Sequence, residues 1–205
     1  MREIPYDQLV NVIAEMCPEA CMTLDDEMKG VLQRAIEQEE SPLGKRILGR
    51  FIENLGLAER EGLPFCEDTG QAVLFVDLGE EVRVSGGGLT AAINDGATIA
   101  QAGGNPCPPT IVGIGIGGDF ELAALNAKRA FAFRKMGQRN PDPFWAEKEL
   151  EILEEANKLG IGPQGLGGTV TVLDVFIEVS PYHIASLPLA INFQCPANRR
   201  AFREV

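Results

Sequence analysis

The sequence predicts an α+β fold, an N-terminal helical layer followed by a mixed β-sheet with flanking helices, all in a single domain. Three observations carry this. In residues 1–60 the apolar positions recur at helical spacing, as in Met28, Leu32, Ala35 and Ile36. Beyond residue 60, β-branched runs alternate with amphipathic or alanine-rich stretches, and no repeat or low-complexity linker interrupts the chain. The domain is therefore expected over 1–205, with 1–60 as the helical layer and 61–205 as the α+β part that carries the cysteine loops.

Taken in order, the first helices are predicted over 6–16, over 24–40 with Thr23 and Glu27 marking its start, and over 42–57 with Gly56 ending it. The apolar run from Gln71 to Leu78 predicts a buried strand, and 89–101, after Gly86-Gly87-Gly88, a helix. Thr110 to Ile116 is a β-branched run, so a strand; 119–136 is alanine-rich, so a helix. Ile152, Ala156 and Leu159 share one face of a helix over 144–159. A glycine-rich loop fills 160–168. From Thr169 to Val179 the apolar residues alternate with Asp174 and Glu178, as in a half-buried strand, and Leu187 to Phe193 makes a last strand that delivers Cys195.

Composition narrows the function. With 45% hydrophobic and 23% charged residues in 205, the chain is an ordinary globular one. A net charge of -12 and only 18 scattered Lys and Arg exclude a nucleic-acid partner, which needs a clustered basic surface. The opening Met1-Arg2-Glu3-Ile4-Pro5 lacks the apolar core of a signal peptide, and no stretch is long enough to cross a bilayer. A cytoplasmic location is expected, and there five dispersed cysteines read as free thiols or ligands.

Three of those cysteines sit in loop-forming surroundings: Pro64-Phe65-Cys66-Glu67-Asp68-Thr69-Gly70, Asn105-Pro106-Cys107-Pro108-Pro109 and Phe193-Gln194-Cys195-Pro196. A free cysteine is most often a small buried hydrophobe. The flanking prolines and glycines instead indicate thiols presented from loops, and three converging thiolates suit an iron–sulfur cluster with one iron left open. Cys17 and Cys21, four apart near a helix end, more often reflect packing than a metal site. Gly113, Gly115 and Gly118 match a dinucleotide fingerprint in spacing, yet no second strand ending in an acidic residue follows the next helix. Asp68 is either an acid–base group or part of an ordinary Asp-Thr-Gly turn. His183 is the only histidine, so any imidazole chemistry falls to it.

Together Cys66-Glu67-Asp68-Thr69-Gly70, Asn105 to Pro109, Gly113 to Ala130, Asn140-Pro141-Asp142-Pro143-Phe144, Leu159 to Gly168 and His183 to Cys195 resemble the α subunit, or N-terminal half, of iron–sulfur hydro-lyases. These are the class I fumarases and L(+)-tartrate dehydratases. The resemblance implies a [4Fe–4S] cluster on Cys66, Cys107 and Cys195, whose open iron is a Lewis acid for a short dicarboxylate hydroxy acid. It implies that Asp68 assists proton transfer, that Glu67 and Thr69 contact substrate and that His183 lines the pocket. It also implies a β subunit, in an α2β2 assembly with the site at the α–β junction.

Two departures from the family pattern stand out. Glu67 replaces the usual glutamine after the first cysteine and would repel a dianion unless protonated or turned away. Between Asn94-Asp95-Gly96 and Gly104, family members carry a longer segment with a substrate-contacting arginine and a Lys-Gly-Gly-Gly-Ser motif, which this sequence lacks. Either the chain is a shortened, non-catalytic cluster-binding relative, or an internal piece is absent from the sequence.

Overall fold

A computed structural model describes residues 2–66, 73–77, 79–85, 108–183 and 187–205. Their contacts group into two units, 1–24 with 55–105 and 199–205, and 25–54 with 106–198.

In the first unit, β1 (Arg2–Pro5) leads directly into α1 (Tyr6–Met22). The helix runs six residues past the expected end at Met16 and passes through Pro18, which removes one main-chain donor without stopping it. Strand β1 pairs in parallel with β2 (Val82–Ser85), Ile4 opposite Val84. Of the strand expected over 71–78, the described part, 73–77, is irregular, with Val73, Leu74 and Val76 exposed. Among the described residues of this unit, ladder pairing goes to 82–85 instead. The helix expected over 89–101 lies outside the described residues.

Helix α3 (Pro42–Glu61) ignores Gly56 and ends at Gly62, whose φ of 64° is the left-handed conformation of a helix stop. The Leu63 N–H then returns to the Ala58 carbonyl at 3.0 Å. In the second unit, α2 (Asp26–Gln38) is capped by Asp25, not Thr23; the Asp25 carboxylate accepts the Met28 N–H at 2.7 Å.

The same unit holds a three-stranded mixed sheet in the order β4-β3-β5, comprising β3 (Thr110–Gly117), β4 (Val172–Ser180) and β5 (Leu189–Gln194). Central β3 runs parallel to β4 and antiparallel to β5. Between β3 and β4 the chain forms α4 (Phe120–Phe133) and α5 (Pro143–Lys158), started by the side chains of Asp119 and Asp142. On one face of β3, Val112, Ile114 and Ile116 join Val172, Val175 and Ile177 under Trp145, Leu153 and Ala156 of α5. On the other, Gly113 and Gly115 lie against α4 so closely that a Cβ would come within 1.9 Å of the Ala127 and Ala123 carbonyl oxygens. The alternating glycines are thus a helix seat, and the dinucleotide spacing is its by-product.

Strand β4 begins at Val172 rather than Thr169 for a definable reason. The N–H groups of Thr169 and Val170 are taken by the Glu39 carboxylate at 2.8 Å each, and those of Thr171 and Val172 by Asn157 Oδ1. Nor is β4 half-buried: Asp174 is 2% exposed because Arg139 and the Gly137 N–H satisfy its carboxylate.

Candidate functional site

The segment after Cys107 is held by the glycine-rich loop. The Pro108 carbonyl accepts the main-chain and side-chain N–H groups of Gln164, at 2.8 and 3.3 Å. Gln164 adopts a positive φ of 55° inside a 3₁₀ turn, Pro163–Gly165. Around it the loop closes on itself, Gly167 N–H to the Ile161 carbonyl at 2.8 Å and Gly162 N–H to Thr171 Oγ1 at 3.1 Å. At Gly162 a Cβ would stand 2.3 Å from the Gly167 backbone, so the closure requires glycine there. Below the loop, Glu39 is 1% exposed and accepts the N–H groups of Ser41, Thr169 and Val170 and the Thr169 hydroxyl. Burial pushes its carboxyl up, but those hydrogen bonds outweigh burial and hold it below the ordinary value.

Cys195 arrives at the same end of the sheet. Gln194 pairs with Ile111, the second residue of β3, so Cys195 follows directly beyond the start of that strand, where Pro108 also lies. The Cys195 carbonyl accepts the Asn198 N–H at 3.1 Å, closing a tight turn over buried Pro196, and the thiol is half-buried. Cys66, in the other unit, is a half-buried free thiol after buried Phe65. Glu67, Asp68, Thr69 and Cys107 lie outside the described residues.

His183 is brought to a different place. Ser180 pairs with Gly117 and Leu189 with Ile116, so the β4–β5 connection that carries His183 leaves from the finishing end of β3. Asn126 Nδ2 donates to Ser180 Oγ at 2.8 Å, and the Gly117 N–H to the Pro188 carbonyl at 2.8 Å, fixing both ends of that connection. The six residues of β5 therefore separate Cys195 from the His183 end of the sheet, by about 20 Å at 3.3 Å per residue. The histidine is exposed.

Sequence reasoning missed Glu39, Gln164, Asn126 and Asn157. Only Gln164 carried a local signal, as the one polar side chain within Gly162-Pro163-Gln164-Gly165. Among the described residues, no group of three or more His, Cys, Asp or Glu is placed to hold a metal ion. Cys66 and Cys195 are nonetheless half-buried, loop-borne cysteines, which is the donor chemistry an iron–sulfur group requires.

The chain is a member of the fumarate hydratase (Fumerase) family, whose model matches residues 10–100 and 96–204. It is similar to a protein provisionally named L(+)-tartrate dehydratase subunit alpha from Methanocaldococcus jannaschii, at 32% identity over 279 aligned positions, covering 97% of this chain and 98% of that one. It is also similar to the L(+)-tartrate dehydratase subunit alpha of Escherichia coli strain UTI89, at 34% identity over 85% of this chain, and to that of strain K12, at 33%. The chain spans 63% of the length of these Escherichia coli relatives.

Since 97% of 205 residues is about 199, about 80 of the 279 positions aligned with the archaeal relative face a gap in this chain. The family match breaks at residues 96–100, between Gly96 and Gly104, where the sequence itself is short. Among the described residues no helix is long and apolar enough to cross a membrane.

Proposed function

We propose that this chain is the α-type subunit of a [4Fe–4S]-dependent hydro-lyase that adds water to, or removes it from, a short dicarboxylate: fumarate and L-malate, or L-tartrate and oxaloacetate. The observation that carries the reading is the family match running along the chain on both sides of residue 96. Cys66, Cys107 and Cys195 would hold the cluster, which when bound supplies a Lewis acid for the departing hydroxyl.

The chain's own residues do the rest. Gln164 fixes the carbonyl of Pro108 and so the backbone beside Cys107, while the Cys195-to-Asn198 turn sets the backbone of Cys195. Asp68 takes part in moving the proton of the weakly acidic C–H, and Glu67 and Thr69 contact the substrate. His183 stays in the proposal on resemblance alone; its exposed place at the other end of β5 is the observation against it. We further propose that 1–205 acts as one domain, in the cytoplasm, with a β subunit in an α2β2 assembly. The subunit names of the relatives support a partner.

One observation favours a second reading. The gap of about 80 positions relative to the archaeal protein falls inside the family match, and a chain short of that segment would bind a cluster without completing a substrate site. Anaerobic reconstitution with iron and sulfide, followed by mixing with a β-type subunit, separates the two. Hydration of fumarate or dehydration of L-tartrate establishes the enzyme; iron uptake without turnover establishes the cluster-binding relative. Intact mass decides the gap itself, because a mass well above 22.1 kDa would show a longer chain.

A further inference from the structure

The end of α1 carries two thiols that the proposed site does not use. Cys17 and Cys21 lie one turn apart there, and burial, then proximity to Cys21, raises the Cys17 thiol above its usual value. The last four carbonyls of a helix have no partner within it. That of Cys21 is taken by the Phe65 N–H at 3.1 Å. This bond fastens the residue before Cys66 to Cys21 itself, within one unit of the molecule, and both cysteines are half-buried free thiols. Disulfide-linked cysteines need Cα atoms within about 7 Å, and the contact leaves one residue of chain, 65 to 66, to adjust.

We propose that Cys21 is the resolving thiol for Cys66, so that a peroxide converts the pair to a disulfide. The Cys66 sulfur attacks hydrogen peroxide; an S–O bond forms, the O–O bond breaks and water leaves, giving a sulfenic acid. The Cys21 sulfur then attacks Cys66, the S–S bond forms, the S–O bond breaks and a second water leaves. The two thiols give up two electrons and two protons, and the peroxide receives both. Without a resolving thiol the sulfenic acid proceeds to sulfinic acid, which thiol reductants do not restore. The disulfide would hold Cys66 in a recoverable state while no iron is bound. That last consequence rests on Cys66 being a cluster ligand, whereas the disulfide does not.

The metal-free chain, treated with hydrogen peroxide and mapped without reduction by mass spectrometry, tests this. A Cys21–Cys66 crosslinked peptide is expected, with a loss of about 2 Da that dithiothreitol reverses. Cys17→Ser keeps the crosslink; Cys21→Ser loses it and instead gains about 32 Da at Cys66. Pairing of Cys66 with Cys17, Cys107 or Cys195, or equal overoxidation in the wild type and Cys21→Ser, overturns the proposal. The wild-type map decides even if a variant fails to fold. Iron uptake by the reduced chain reports separately on the ligand assignment: iron bound without a crosslink defeats only the disulfide, and a crosslink without iron uptake defeats only the ligand reading.

Discussion

Arg134 grips Glu149 with its two terminal guanidinium nitrogens, at 2.7 and 3.2 Å, in the interior behind β4. The same carboxylate accepts the N–H groups of Asn140 and Ile177, and the Arg134 guanidinium lies 5.0 Å from the centre of the Phe176 ring. One buried carboxylate thus joins the end of α4, the turn after it, α5 and the middle of β4. Arg134→Met removes the counter-charge nearest that carboxylate and leaves only Arg139, at 3.6 Å, so it is expected to cost about 3 kcal/mol. Urea denaturation should show the midpoint falling accordingly; an unchanged midpoint would mean Glu149 finds other compensation.

Gly115 tests the helix seat. A methyl group there would lie 1.9 Å from the Ala123 carbonyl oxygen and 2.7 Å from the Ala127 nitrogen, both main-chain atoms of α4 that cannot rotate away. Moving the helix outward opens the packing on that face of the sheet, so Gly115→Ala is expected to cost roughly 3 kcal/mol, at the upper end of overpacking. Thermal unfolding by circular dichroism checks it. If the spacing served a phosphate instead, the variant would keep its stability and lose only a ligand.

The features legible in the sequence were those whose cause is local. Period-3.6 apolar positions placed α2 and α5, and the β-branched run from Thr110 placed β3. Cys66 and Cys195 were legible as loop residues because the prolines beside them disfavour regular structure there. What escaped depends on partners distant in sequence. Glu39 is 130 residues from the Thr169 amide it accepts, and together with Asn157 it explains why β4 starts at Val172. Gly62 rather than Gly56 ends α3 because only there does the chain turn with positive φ. The separation of His183 from Cys195, by contrast, was legible in outline, because the strand expected over Leu187 to Phe193 already lay between them, and the register of β5 against β3 fixes it.

Glu39 makes the glycine-rich loop sensitive to acid. Its folded-state carboxyl is held below the ordinary 4.5, so it contributes stability that is fully present above that value and lost as pH falls through the lowered one. Glu39→Gln keeps one acceptor oxygen but presents an NH2 group to an N–H that the carboxylate satisfied, a cost of about 2 kcal/mol near neutral pH. The wild type should lose stability more steeply than Glu39→Gln below about pH 5. Parallel slopes in denaturant titrations from pH 7 down to pH 3 would place the acid sensitivity elsewhere. Gly44 and Gly168 give this carboxylate its room, since a Cβ at either would come within 2.8 Å of it.

Strand β5 makes the proposed partnership testable at one residue. Leu189, Ile191 and Phe193 pair with Ile116, Ile114 and Val112, so they stand on the sheet face that α5 covers over β3 and β4. On β5 they are 56, 51 and 53% exposed. The strand contains no charged residue although the chain carries a net charge of -12, and uncharged edge strands invite pairing or burial. A charge at Ile191 faces water in the isolated chain and therefore spares its fold, but it must be desolvated if a β-type subunit packs there. Ile191→Lys is expected to weaken association with a co-expressed β-type subunit at least tenfold, about 1.4 kcal/mol, with unfolding of the isolated chain unchanged. Retention of the partner at wild-type affinity in sedimentation experiments would remove β5 from the interface.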